Sequence, residues 1–223
     1  MPAAGTSEVF TDVSQDPFVR GFLHRPEKAA ADGLVLAHGS GGNCGAPLLI
    51  AVAEAFADAG VAVLRIDLPF RQTRPYGPPS PADAKRDRAG IKNAMAALKN
   101  VVSGRCFVGG QSYGGRQCSM LCAEEPGLAA GLLLLSYPLH LPGKLDQLRT
   151  QHLPDLRTPT LFVQGTRDPF GAIAEIEGAV KLIPAKTKVL VIEGTGHDLG
   201  FKGKTKRDGL PAEIRSEFEK FFV

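Results

Sequence analysis

"FVGGQSYGGR", Phe107 to Arg116, sets four glycines around one serine directly behind a short apolar run. Within it Gly110-Gln111-Ser112-Tyr113-Gly114 matches G-x-S-x-G, the pattern of a strand-to-helix turn that lifts a serine Oγ above a sheet. Side chains on the flanking glycines would collide with the neighbouring strand and helix. A phosphate-binding loop is the other use of such a segment, and this one has neither G-x-x-x-x-G-K-[ST] nor a clean G-x-G-x-x-G.

The motif means little unless a buried strand precedes it and a helix follows, so the surrounding periodicity matters. Apolar, β-branched runs recur at 33–39, 61–67, 105–110, 131–138, 159–165 and 187–194, and they read as strands buried on both faces, as in a parallel sheet. Between the first two, Leu48, Leu49, Val52, Ala53, Phe56 and Ala57 share a helical face that Gly60 terminates. Ile91, Met95, Leu98 and Val102 form a similar stripe in the next connection. The segments near Val9 and from Phe18 to Leu23 are weaker strands, expected at an antiparallel edge. Strand and helix alternate throughout, which predicts an α/β fold with a mostly parallel sheet and helices on both faces.

Length and composition bound the rest. The chain has 223 residues, 43% of them hydrophobic, enough for one core, and residues 1–223 read as a single domain. A net charge of +3 with interleaved signs gives no footprint for nucleic acid. The basic run "KGKTKR" (202–207) reads as a solvated loop. No stretch approaches the ~20 apolar residues of a membrane helix, and the first ten residues lack the pattern of a signal peptide, so a cytoplasmic protein without membrane attachment is expected. Cys44, Cys106, Cys118 and Cys122 show no CxxC spacing and are expected as free thiols, with Cys118 and Cys122 packed inward. No cofactor or metal is implied.

A serine hydroxyl needs a base, and the base an orienting acid. Asp168 follows the strand "PTLFVQG" in the turn "TRDPFG", and His197 follows "TKVLVIEG" in "TGHDLG". Both fall at carboxyl ends of strands, on the rim expected for Ser112. Asp-Pro also starts ordinary turns. Asp67 ends a strand too and is a rival acid, disfavoured because it precedes the serine in the chain. For the oxyanion, the amide after the nucleophile, Tyr113, is one expected donor; Ser40 in "AHGSGG" is the second, with Gly41 the runner-up. His38 reads as a structural hydrogen-bonder. His140 reads as a substrate-pocket residue or a loop tether, and Arg71, Arg74 and Arg116 as ligands for an anionic substrate or partners in local salt bridges.

Residues 33 to 200 resemble an α/β-hydrolase, and "LRIDLPF", "GGQSYGGR", "YPLHLPGKLDQLRTQHLP" and "LFVQGTRDPFG" are similar to its dienelactone-hydrolase-like branch. The likeness is nearest to the group that contains the testis-expressed and NSL-complex hydrolase-fold proteins. It implies a serine hydrolase acting on a small carboxylic ester or related acyl compound through Ser112, His197 and Asp168. The other implied role, from members that are subunits of a chromatin complex, is a hydrolase-fold scaffold with vestigial catalysis. Dienelactone hydrolases carry cysteine where this chain has Ser112, so their particular substrate does not carry over. Many relatives hold long acyl chains under a helical cap; here the corresponding interval, Leu139 to Thr158, has room only for a short helix near Leu145 to Gln151, and no cap domain is expected.

Overall fold

The computed structural model describes residues 6–201 and 207–222. Most of the basic run at 202–207 therefore lies outside the described residues.

The chain opens with a hairpin, β1 (Thr6–Asp12) and β2 (Val19–Arg25), followed by β3 (Gly33–Ala37), α1 (Pro47–Asp58) and β4 (Ala62–Ile66). Next come α2 (Pro69–Thr73), α3 (Asp83–Lys99), β5 (Cys106–Gln111), α4 (Tyr113–Glu124) and β6 (Leu132–Leu135). A 3-10 turn at Leu153–Asp155, β7 (Thr160–Gly165), α5 (Ile173–Val180), β8 (Thr187–Ile192) and α6 (Leu210–Phe222) complete it. One eight-stranded sheet results, in the order β1-β2-β4-β3-β5-β6-β7-β8. β1 and β2 pair antiparallel, β2 pairs antiparallel with β4, and the remaining pairs are parallel. The weak N-terminal strands thus form the antiparallel edge that their residues predict.

Alternation along the central strands sorts side chains into two cores. In β5, Cys106 and Val108 face one side with Ile91, Met95 and Leu98 of α3. Phe107 faces the other, with Phe56 of α1 and Phe218 of α6. The Phe218 ring stands edge-on to Phe56 and Phe107, with centroids 5.0 and 4.8 Å away. Burying a ring of that size stabilises the fold by about 3 kcal/mol at most. α1 begins at Pro47, whose fixed φ suits the first helical turn, and stops where Gly60 takes φ +92°.

Two expectations need correction. β8 was expected to be buried on both faces, yet five of its six residues stay partly or fully exposed because it is the last strand of the sheet. No helix forms at Leu145–Gln151; the only helical turn of that interval is Leu153–Asp155. Arg149 N–H instead donates to Leu139 O at 2.8 Å, which folds the segment back on itself, and Pro154 favours the start of a short turn.

The sheet order reverses between β3 and β5, since β4 lies on one side of β3 and β5 on the other. Loops leaving the two strands diverge there, and a crevice opens beyond their carboxyl ends.

Candidate active site

Ser112 sits at that switch point. Its backbone takes φ 52° and ψ −118°, a conformation few L-residues adopt, and its N–H donates to Leu135 O on the neighbouring strand at 2.9 Å. The turn is this tight because the chain passes neighbours at backbone distance. A Cβ on Gly110 would lie 2.3 Å from Ala37 O, and one on Gly114 would lie 2.5 Å from His38 O. Hence glycine at both positions.

Asp168 and His197 come to Ser112 from the ends of β7 and β8. Arg167 N–H donates to Thr195 O at 2.9 Å, joining the two loops. His197 Nδ1 lies 2.8 and 3.0 Å from the Asp168 carboxylate oxygens, and its Nε2 lies 2.8 Å from Ser112 Oγ. With a carboxylate on one side, Nδ1 carries the proton, which leaves Nε2 to accept from the serine hydroxyl. The Asp168 side chain is fully buried, while that of His197 is 24% exposed, so the imidazole reaches solvent and the carboxylate does not. The Phe170 ring packs over the imidazole at 4.1 Å.

Gln164 is the residue that sequence reading missed. It is fully buried at the end of β7; its Nε2–H donates to Asp168 Oδ2 and to Gly171 O, both at 3.0 Å, and its Oε1 accepts from Tyr137 N–H at 2.9 Å. Together with Phe170 N–H, 2.9 Å from Oδ1, it fixes the carboxylate plane. Only a polar residue at a buried strand position hinted at this.

Tyr113 is the first residue of α4, so its N–H has no partner within the helix. Its hydroxyl donates to the buried Asp87 carboxyl at 2.7 Å, and Asp87 also accepts from Phe70 N–H at 3.0 Å. Burial lifts Asp87 above its ordinary value, partly offset by those two bonds. The loop after β3 runs beside the serine: a Cβ on Gly39 would meet Ser112 Cβ at 3.5 Å. Among the described residues no acceptor takes the amides of Ser40 or Gly41, and both residues line the cleft. Arg71 shapes this loop by donating to Gly42 O, Ser40 O, Arg74 O and Gly77 O at 2.8 to 3.1 Å. His38 Nδ1–H donates to Gly39 O at 2.8 Å and Nε2 accepts from Leu68 N–H at 3.1 Å, the structural role expected of it. Burial pushes His38 down to about 4, and Gly39 O and Asp67 only partly offset this.

The remaining candidates separate. His140 is 2% exposed, binds Leu141 O and Glu175 Oε2 at 2.9 and 3.2 Å, and does not line the cleft. Of its two readings, loop tether is the one its contacts match. Arg71 is consumed by carbonyls and Arg74 by Asp83 at 2.5 Å. Arg116 lines the cleft. Asp67 accepts from Cys44 N–H and Arg20 and has no bond to His197. All four cysteines are free and buried.

The cleft over Ser112 has a volume of about 1180 Å³ and runs from Pro78–Pro81 to Leu141 and Arg149. Among the described residues no three His, Cys, Asp or Glu side chains are grouped to hold a metal ion, and no helix is long and apolar enough to cross a membrane.

Comparison with known proteins bears on this arrangement. The model of the alpha/beta hydrolase domain matches residues 30–218. Dienelactone hydrolase from Anabaena variabilis superposes with a TM-score of 0.75 at 21% identity, over 98% of this chain and 97% of that one. Est1E from Butyrivibrio proteoclasticus gives 0.74 at 18%, over 96% and 98%. XC6422 from Xanthomonas campestris, an α/β serine hydrolase without a lid, gives 0.68 at 14%, over 99% and 96%. With a sheet, a switch-point cleft and a family match over most of its length, the chain belongs to the α/β-hydrolase family, as a fold of the dienelactone-hydrolase-like type.

Proposed function

We propose that this protein is a serine hydrolase that cleaves a small carboxylic ester or related acyl compound through a Ser112–His197–Asp168 triad. The observation that carries the reading is the 2.8 Å approach of His197 Nε2 to Ser112 Oγ, with Nδ1 held by a buried carboxylate. Ser112 Oγ attacks the acyl carbon as its proton passes to His197 Nε2. Asp168 holds the tautomer and stabilises the imidazolium that forms. The amides of Tyr113 and Ser40 receive the oxyanion. Collapse expels the alcohol, which takes the proton from His197, and leaves an acyl group on Ser112. Water, deprotonated by the same nitrogen, then releases the acid and restores the hydroxyl.

A fluorophosphonate probe tests this directly. Wild type is expected to be labelled at Ser112, and folded Ser112→Ala is expected to take no label. A folded wild-type sample that stays unlabelled and turns over no ester would sink the proposal in favour of a scaffold role.

A further inference from the structure

Arg116 lies in the first turn of α4, four residues beyond Ser112, and its N–H donates to Ser112 O at 2.9 Å. Both it and Arg149 line the cleft. Neither belongs to any ion pair among the described residues, unlike Arg20 with Asp67, Arg74 with Asp83, Arg88 with Glu124 and Arg105 with Asp32, and unlike Arg71, whose guanidinium is taken up by four backbone carbonyls. The Arg116 Nε–H is buried with no acceptor. Arg149 has only a long contact from Nη1 to Pro138 O, 3.3 Å.

The backbone keeps the two cations together. Arg149 N–H donates to Leu139 O at 2.8 Å, and its carbonyl accepts from the Tyr137 hydroxyl at 3.2 Å, which anchors the loop that carries it. Burial, then the charge of Arg116, holds Arg149 below its ordinary value. Burial, then Arg116 and Arg88, pushes His152 down to about 4. Two guanidiniums that repel each other in a half-dry site, one with an unmet donor, are costly unless an anion joins them. Arginine keeps its charge in proteins, so deprotonation offers no escape. Among the described residues the one carboxylate lining the cleft, Asp198, follows His197 and accepts from Gly200 N–H.

We infer that Arg116 and Arg149 form an anion subsite beside Ser112, and that the substrate is an ester bearing a second, anionic group, carboxylate or phosphate, a short distance from the scissile carbonyl. This rests on the serine-hydrolase reading and refines it. Charge-assisted bonds from the two guanidiniums orient the substrate, whereas Ser112 performs the displacement.

The test compares charged and neutral esters in matched pairs: 4-acetoxybenzoate with its methyl ester, mono-4-nitrophenyl adipate with its methyl ester, and 4-acetoxyphenyl phosphate with phenyl acetate. The ratio of kcat/KM within each pair is followed across variants, so intrinsic ester reactivity cancels. In Arg116→Met and in Arg149→Met the charged-to-neutral ratio is expected to fall about tenfold or more in at least one pair. Arg116→Lys is expected to restore part of it, and Lys92→Met, which removes a surface cation paired with Glu125, to leave it as in wild type. Which pair responds tells a carboxylate from a phosphate and an acyl-side anion from one on the leaving group. Wild type supplies a measurement that needs no variant to fold: adipate should protect Ser112 from the fluorophosphonate at roughly tenfold lower concentration than neutral adipamide, with the difference shrinking as salt is added. Equal protection, or ratios unchanged in all pairs while labelling and ester turnover persist, overturns the subsite and leaves the hydrolase standing. Loss of labelling and turnover in wild type overturns both.

Discussion

Asp67 and Asp168 hold matching stations at the carboxyl ends of β4 and β7, each just past its strand and each nearly buried. Their partners differ. Asp67 accepts from Cys44 N–H at 2.8 Å and from the Arg20 guanidinium at 2.8 Å, which ties the loop after β3 to the edge hairpin. Asp168 accepts from a neutral amide, a backbone N–H and His197, so no permanent cation satisfies it. A carboxylate held by arginine is tied into the fold, whereas one that faces only neutral donors fits the proposed role of stabilising an imidazolium during turnover. Strand-end placement is common to both; the charge of the neighbours separates structure from chemistry.

The sharpest way to break this contrast is to remove each charge in turn. Asp168→Asn is expected to lower kcat by about 10⁴, since the wrong histidine tautomer would face Ser112, and Asp67→Asn by less than about tenfold. Steady-state kinetics on 4-nitrophenyl acetate decide it; reversed magnitudes would make Asp67 the working acid.

Stability should show the opposite ranking. Burial by itself would raise Asp67, yet the bonds from Cys44 and Arg20 win and hold it below the ordinary carboxylate range. Asp67→Asn is therefore expected to cost about 2 kcal/mol, read from urea unfolding at neutral pH. No change in the urea midpoint would leave Asp67 without a structural role.

The histidines beside the two carboxylates give a pH version of the comparison. His38 is buried and lowered to about 4 in the fold, below the ~6.5 of an unfolded chain, so between those values the unfolded state binds the extra proton. Its contribution is complete above about 6.5 and is lost as pH falls toward 4, the loss reaching about 2 kcal/mol at pH 5. Urea midpoints at pH 7.5 and pH 5 check this, with a shallower decline expected in His38→Gln. An identical decline in that variant would assign the acid sensitivity to another group.

The smallest effect concerns the roof of the cleft. The Leu139–Thr158 interval builds no cap, and each methylene that stays wet forgoes about 0.8 kcal/mol. Within neutral 4-nitrophenyl esters kcat/KM is expected to peak at acetyl to butyryl and to vary only a fewfold around it. A steady rise to octanoyl would reveal a covered pocket.

Much of this was legible in the sequence. Six apolar runs located the parallel strands, and G-x-S-x-G, read against the strand before it, located the elbow. Asp168 and His197 followed from strand-end position and chain order. Gln164 was not legible, because a glutamine inside "LFVQG" matters only once β6 brings Tyr137 N–H against it. The absent helix at Leu145–Gln151 has a similar cause, since a backbone bond to Leu139 overrides local propensity.

Alone, the sequence determined the six parallel strands, the helical stripes of α1 and α3 and the serine turn with its flanking glycines. Those properties depend on side-chain period and on Cβ contacts with near neighbours, which local order carries. Tertiary structure alone decided that His197 Nε2 meets an oxygen 85 residues away, that Asp67 goes to Arg20, and that Arg116 and Arg149 share one cleft. Such pairings depend on how a twisted sheet orders its strands, and no window of local sequence contains both partners.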